Sequence, residues 1–235
     1  MSSATEIERT PPRWLRGGGF FVTWYGDPET APAEAQRVRA ARPDFVIVGA
    51  GLHARASVPA LFLAGGVRAV AYLAVAWGRR PVQEVAREID EALRAGYAGV
   101  FLDQADPAAD AFNRACADAV RAVRDTLLVM NTGRADASAA LLALADIVCV
   151  ENQWDRPLVP SDVPPWRWMS VQGDPARDAP ATLAEALGRR AVFRGRGGGW
   201  YYAGPWAPEG STHWRLAPWL EAFAAAVRAD GPLVP

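Results

Sequence analysis

The chain contains no lysine; all 25 of its basic residues are arginine. That absence removes whole mechanisms. No lysine amine exists to form a Schiff base, to anchor pyridoxal phosphate or to serve a Walker-type phosphate loop. Histidine is scarce, with only His53 and His213. Two imidazoles argue against a His-rich metal site and against a Ser-His-Asp triad. Acid–base work then falls mostly to Asp and Glu. Cysteine is limited to Cys116 and Cys149, which gives no disulfide framework. One falls in an expected helix and the other in an expected strand, so both read as core residues.

Long apolar runs are missing as well. The longest, Val67 to Trp77, contains Arg68 and is too short to cross a bilayer. The opening MSSATEIERTPPRWLRGGG has no apolar signal segment. The expectation is a cytoplasmic protein with no membrane partner, or a secreted one if a leader has been removed. The net charge is −1, so no single-sign field points to nucleic acid. What is abundant is apolar surface, 51% of residues, and tryptophan, with ten copies. Such rings fill cores, and they also make flat platforms for sugar faces.

The 235 residues alternate short apolar runs with Ala/Arg/Glu-rich helical stretches. Strands are expected over Gly19–Tyr25, Asp44–Gly49, Val67–Ala76, Gly99–Asp103, Thr126–Asn131, Asp146–Glu151, Arg167–Gln172 and Gly199–Ala203. Helices are expected over Ala31–Ala41, Val58–Ala64, Pro81–Arg94, Pro107–Arg124, Asp136–Ala145, Ala181–Arg189 and Trp214–Ala229. Pro81 suits a helix start and Gly96 a helix end. Residues 191–198 carry no clear pattern. The strands read as continuous apolar runs, as parallel strands buried on both faces do. Strict β–α alternation at this length predicts one α/β domain, a single (β/α)8 TIM barrel over 17–230. It is preceded by an N-terminal extension over 1–16 and followed by a tail over 231–235. A doubly wound open sheet is the alternative. The first strand ends in TWYGDPE, and VGAGLHA lacks the spacing of a dinucleotide fingerprint. GRGGGW at 195–200 precedes a strand, so it lies at the wrong end of a barrel for a site and reads as a turn.

Barrel active sites form at the C-terminal ends of the strands. There the sequence places Thr23, Trp24, Tyr25, Trp77, Asp103, Gln104, Asn131, Glu151, Asn152, Gln172 and Tyr202, with Tyr72 pointing inward below them. Each such position also has a plain reading, since Asp and Asn often cap the next helix. Asp106, directly before Pro107, is the better cap, which frees Asp103. Glu151 is a poor cap, and no helix follows it closely. A glutamate at the end of DIVCVE costs solvation free energy unless it is paired or functional. Asp103 and Glu151 lie two strands apart and can face each other across the mouth. Paired carboxylates in an aromatic cleft are the constellation of glycoside cleavage.

Several stretches resemble a known family. LAVAWGRRPVQEVAREIDEAL, GYAGVFLDQ, VMNTGR, DIVCVEN and GWYYAGPW follow one another with the order and spacing of the spherulation-specific family 4 proteins. That family is similar to glycoside hydrolase family 114, the endo-α-1,4-polygalactosaminidases, which pair a (β/α)8 barrel with a catalytic Asp and Glu. The resemblance implies Asp103 and Glu151 as the catalytic pair, with Asp103 as nucleophile or base and Glu151 as general acid. Gln104 stands where the family has a second acid, and Thr132 where it has proline. The family's Gly/Pro-rich second loop is not reproduced by GAGLHARAS. The expected activity is cleavage of an α-linked amino-sugar polysaccharide of galactosaminide type. Trp24, Tyr25, Trp77, Trp154 and Trp206 are candidate sugar platforms. Tyr72, Gln104, Asn131, Asn152, Gln172 and Tyr202 are candidate polar contacts. No metal and no organic cofactor is implied. The rival expectation is a non-catalytic carbohydrate-binding barrel, or one whose ligand is not a sugar.

Overall fold

Eight short apolar stretches become the strands β1 (Phe21–Trp24), β2 (Phe45–Val48), β3 (Arg68–Ala74), β4 (Gly99–Asp103), β5 (Leu127–Asn131), β6 (Ile147–Cys149), β7 (Trp168–Gln172) and β8 (Trp200–Ala203). Between and after them run α1 (Pro32–Ala41), α2 (Ser57–Leu63), α3 (Val82–Arg94), α4 (Asp110–Arg121), α5 (Ala139–Leu144), α6 (Leu183–Gly195) and α7 (Leu220–Ala229). The computed structural model describes residues 12–15, 19–49, 51–134, 139–158, 160–172, 180–204 and 212–231. Each strand pairs in parallel with the next, in the order β1 to β8, and β8 comes back alongside β1. This is a single (β/α)8 barrel. An open doubly wound sheet would need the strand order to reverse, and it does not.

Ring contacts separate the inner from the outer face. Phe45 on β2 stacks on Phe21 of β1 at 5.4 Å and reaches Trp200 of β8 at 5.4 Å. β1 stands between β2 and β8, so these rings meet only inside the barrel. Successive side chains alternate between faces, and the registers carry the inner set round through Tyr72, Phe101, Val129 and Asn131 to Cys149 and Met169. Below this layer Trp14 packs edge-on against Phe45 at 6.4 Å, with the Arg68 guanidinium over its ring. Residues 12–15 of the expected extension therefore lie on the barrel. Both cysteines are buried.

The outer strand faces are closed by helices. Tyr201 meets Phe193 of α6 and Phe223 of α7, each at 6.4 Å. Trp24 packs edge-on against Phe62 of α2 at 6.1 Å, and its indole N–H donates to Glu34 of α1 at 3.0 Å. Its ring is fully buried. The sequence reading of Trp24 as a sugar platform is therefore corrected: it is an outward-facing core residue. Trp24→Phe should cost about 1–3 kcal/mol, because it strips the Glu34 carboxylate of a buried donor and narrows the packing. Urea unfolding checks this, and an unchanged midpoint would refute it.

Helix limits differ most from the sequence reading in three helices. α4 begins at Asp110, not Pro107. Asp106 caps a turn instead, its carboxylate accepting from the Ala108 N–H at 2.9 Å while its carbonyl accepts from Asn113. α6 runs on to Gly195 through residues that showed no pattern. Its start is fixed by Thr182, which accepts from the Glu185 N–H, while Glu185 accepts from the Ala181 N–H, close to a capping box. α7 begins at Leu220, not Trp214, because Pro218 disfavours helical backbone at the residue before it. No described helix is long and apolar enough to cross a membrane.

Candidate active site

Four consecutive strands carry the polar inner layer at the C-terminal mouth. Tyr72 comes from β3, Asp103 from the end of β4, Asn131 from the end of β5, and Glu151 follows β6. The Tyr72 hydroxyl donates to Asp103 Oδ2 at 2.5 Å. The Asn131 amide donates to Asp103 Oδ1 at 2.7 Å and to Glu151 Oε2 at 3.0 Å. Its own Oδ1 accepts from the Gly133 N–H at 3.0 Å. That contact fixes which end of the amide faces the carboxylates, so both must accept. One nitrogen within hydrogen-bond reach of both places the two carboxylate oxygens less than about 6 Å apart.

The strand ends are set by backbone conformation. Ala76, Trp77, Gln104 and Asn152 all have left-handed φ, between 50° and 61°. Each lies just past β3, β4 or β6. Side chains other than glycine rarely adopt this region, and each such residue costs roughly 1–2 kcal/mol. Strain of this kind gathers at functional sites. Beyond the strands the ladder continues, with the Val75 N–H on the Asp103 carbonyl, the Trp77 N–H on the Gln104 carbonyl and the Ala105 N–H on the Asn131 carbonyl. The turn at Gln104 thus holds Asp103 as the last inward residue of its strand.

Tyr25 completes one wall. Its ring lies 5.0 Å from Tyr72 and 5.0 Å from His213, with Trp214 edge-on at 6.2 Å. Burial raises the Tyr25 phenol, and Tyr72, Asp103 and Glu151 raise it further. Burial and then Asp103 raise the Tyr72 phenol. Both remain neutral and can donate hydrogen bonds. Beneath the pair, burial pushes the Cys149 thiol up, with added effect from Glu151 and Asp103, so it is no nucleophile.

Burial pushes the buried His213 imidazole down from 6.5 to about 4. Between those values the unfolded chain binds more protons than the folded one, so His213 subtracts stability as pH falls from 6.5 to about 4. Asp146 acts in the opposite sense, since burial raises its carboxyl from 3.8 to about 6. The informative measurement is therefore the difference between wild type and His213→Gln. The variant should lose less stability between pH 7 and pH 4.5, by about 2–3 kcal/mol, and parallel pH profiles would refute it.

The other candidates divide. Trp77 is 40% exposed at the rim. Gln104 and Asn152 contribute strand-end backbone, with the Asn152 N–H on the Val171 carbonyl. Trp154 lies beneath the Arg189 guanidinium at 5.2 Å. Two further positions are corrected. Gln172 is fully buried and donates to Ser170 Oγ; both alternate with Met169 and Val171, which places them on the outer face. Tyr202 is inward but fully buried against Phe21 at 5.9 Å, below the mouth. Trp206 lies outside the described residues. His53 sits 3.6 Å from Glu91, away from the pair. Sequence reasoning missed His213 and Trp214, the latter 59% exposed. The signal was present: THWR follows the eighth strand, where a barrel loop returns to the mouth.

Neither a protein-family model nor a curated protein matches the chain. Among solved structures it is similar to a protein named as a deoxyribose-phosphate aldolase of Toxoplasma gondii ME49, at 16% identity and TM-score 0.51 over 93% of this chain and 96% of that one. It is similar to the phosphoenolpyruvate phosphomutase of Streptomyces platensis subsp. rosaceus, at 16% identity and TM-score 0.51 over 83% and 81%. A protein named as a lyase/mutase of Burkholderia cenocepacia J2315 gives 19% identity and TM-score 0.51 over 91% and 80%. At these identities the likeness is one of fold: the chain is a TIM barrel.

Proposed function

We propose that this barrel is a glycoside hydrolase acting on an α-linked, amino-sugar polysaccharide of galactosaminide type. Asp103 serves as nucleophile and Glu151 as general acid. The observation that carries the reading is the Asn131 amide bridging the two carboxylates at the C-terminal mouth. The sugar class rests on the resemblance to the spherulation-specific family 4 proteins. The two bridged oxygens, less than about 6 Å apart, fit the retaining geometry, near 5–5.5 Å between carboxyl groups. Tyr72 and Asn131 both donate to Asp103, which suits an anion that must be aimed at an anomeric carbon. The chain has no lysine, so carbonyl chemistry through a lysine Schiff base is closed to it.

The test is incubation of purified protein with α-1,4-galactosaminide oligomers, reading new reducing ends. Cleavage with retained anomeric configuration is expected. Binding without cleavage would favour the non-catalytic carbohydrate-binding barrel. Neither binding nor cleavage would point to a ligand that is not this sugar. On the exposed rim, Trp77→Ala and Trp214→Ala should each weaken oligomer binding by about 1–3 kcal/mol, by analogy with aromatic stacking on other flat ligands. Unchanged affinity in both would remove them from the substrate path.

A further inference from the structure

The opposite end of the barrel carries a hollow lined by arginines. Parallel barrels bring the C-termini of their helices to the face where the strands begin. There Gln36, Arg39, Ala40, Arg42, Gly65 and Arg228 line a hollow of about 750 Å³, within the size range of small-molecule sites. It draws on the ends of α1 and α7 and the turn after α2.

Its three guanidinium groups differ from most others in this chain. Arg37, Arg55, Arg80, Arg87, Arg94, Arg114 and Arg189 each meet a carboxylate. Among the described residues no carboxylate lines the hollow, and Arg39, Arg42 and Arg228 form no ion pair. The Arg39 Nε–H is buried against the Gly65 turn, with no hydrogen-bond partner among the described residues, so this guanidinium is held by packing and not by a carboxylate. Arg39 is packed closely over the turn: a Cβ added to Gly65 would stand 2.6 Å from Arg39 Nε and 3.1 Å from its Cγ. Arg42 occupies the left-handed cap of α1, at φ 49°, where helices ordinarily place glycine.

Helix capping explains only part of this. Arg228 donates to the Ala41 carbonyl at the end of α1, as a cation at a helix C-terminus should. The three helix ends supply about one and a half units of negative charge between them, against three guanidinium charges. Arg39 caps nothing through its buried Nε–H.

We propose that this hollow binds an oxyanion of the phosphate type, free or at the end of a small organic molecule, with Arg39 and Arg228 as its main contacts. Guanidinium forks match tetrahedral oxyanions through paired, charge-assisted hydrogen bonds. The hollow exceeds the size of a bare phosphate, which leaves room for an attached body. The site is remote from the carboxylate pair and does not depend on the hydrolase reading.

The test is calorimetric titration of the full chain, in oxyanion-free buffer, with inorganic phosphate and with a hexose monophosphate. Saturable one-to-one binding of at least one probe is expected, and tighter binding of the sugar phosphate would show that the body is read too. Arg39→Gln should weaken it about tenfold or more, the change expected for losing a charge-assisted hydrogen bond. Gly65→Ala keeps all three charges and displaces Arg39, so a similar loss there separates built geometry from bulk charge. Arg87→Gln, at an exposed paired arginine of α3, should change nothing. Absence of saturable binding by either probe, or wild-type affinity in both Arg39→Gln and Gly65→Ala, overturns the proposal.

Discussion

Asp103→Asn and Glu151→Gln should each lower the turnover of α-galactosaminide oligomers by about 10²–10⁴-fold or more while leaving the fold intact. The local hydrogen bonds explain why the fold survives. In Asp103→Asn the new side chain can turn its carbonyl to the Asn131 amide and its own amide to the Tyr72 oxygen, which accepts as readily as it donates. In Glu151→Gln the new amide can likewise offer its carbonyl to Asn131. Under the proposed mechanism, what each variant loses is chemistry. Asp103→Asn leaves no anion to attack an anomeric carbon, and Glu151→Gln leaves no carboxyl proton for the leaving oxygen. Asn131→Ala keeps both carboxylates and removes what fixes them relative to each other, so it should fall between wild type and these two. The measurement is the initial rate of reducing-end release, with far-ultraviolet circular dichroism as the control for folding. Near-wild-type rates in both carboxylate variants would make the pair structural and the hydrolase mechanism wrong.

Gly99→Ala should be among the most damaging single substitutions for stability. Gly99 opens β4 and is paired with Leu127 of β5. A Cβ there would lie 2.1 Å from the Leu127 carbonyl oxygen and 2.7 Å from its Cβ and its nitrogen. Two of these three atoms are backbone, so no rotamer change relieves the contact. The strands must separate, and the nearby bond from the Leu127 N–H to the Ala98 carbonyl at 2.9 Å must stretch. The expected loss is about 3 kcal/mol or more, at the upper end for overpacking, which lowers the melting temperature by roughly 6–12 °C in a domain of this size. A melting temperature within about 1 °C of wild type would show that β4 and β5 yield more easily than their spacing suggests.

The barrel was legible because each strand is a short apolar run and each helix a polar-faced stretch, in unbroken alternation. The carboxylate site was legible for a related reason. Asp103, Asn131 and Glu151 are polar residues that end such runs, and Tyr72 lies inside one. The direction of individual side chains was much harder to read. Thr23, Trp24 and Tyr25 are consecutive, and a shift of one residue reverses the face each presents. Trp24 proves to be the outward one of the three. Gln172 failed in the same way. Tyr202 failed through depth, since it faces inward but lies below the mouth. Trp214 was hidden by a helix-like run, AFAAAVRAD, whose apparent start reached back past Pro218.

The polar layer of the mouth is contiguous along the chain. The hydrogen bonds that link Tyr72, Asp103, Asn131 and Glu151 each join neighbouring strands or their ends, and all four residues fall between positions 72 and 151. A half-barrel cut from β3 to β6 carries the whole bridged polar group as one cassette, while β1, β7 and β8 contribute mainly the aromatic filling and the walls. Exchange of those outer strands between related barrels should then alter which ligand is admitted without rewriting what is done to it.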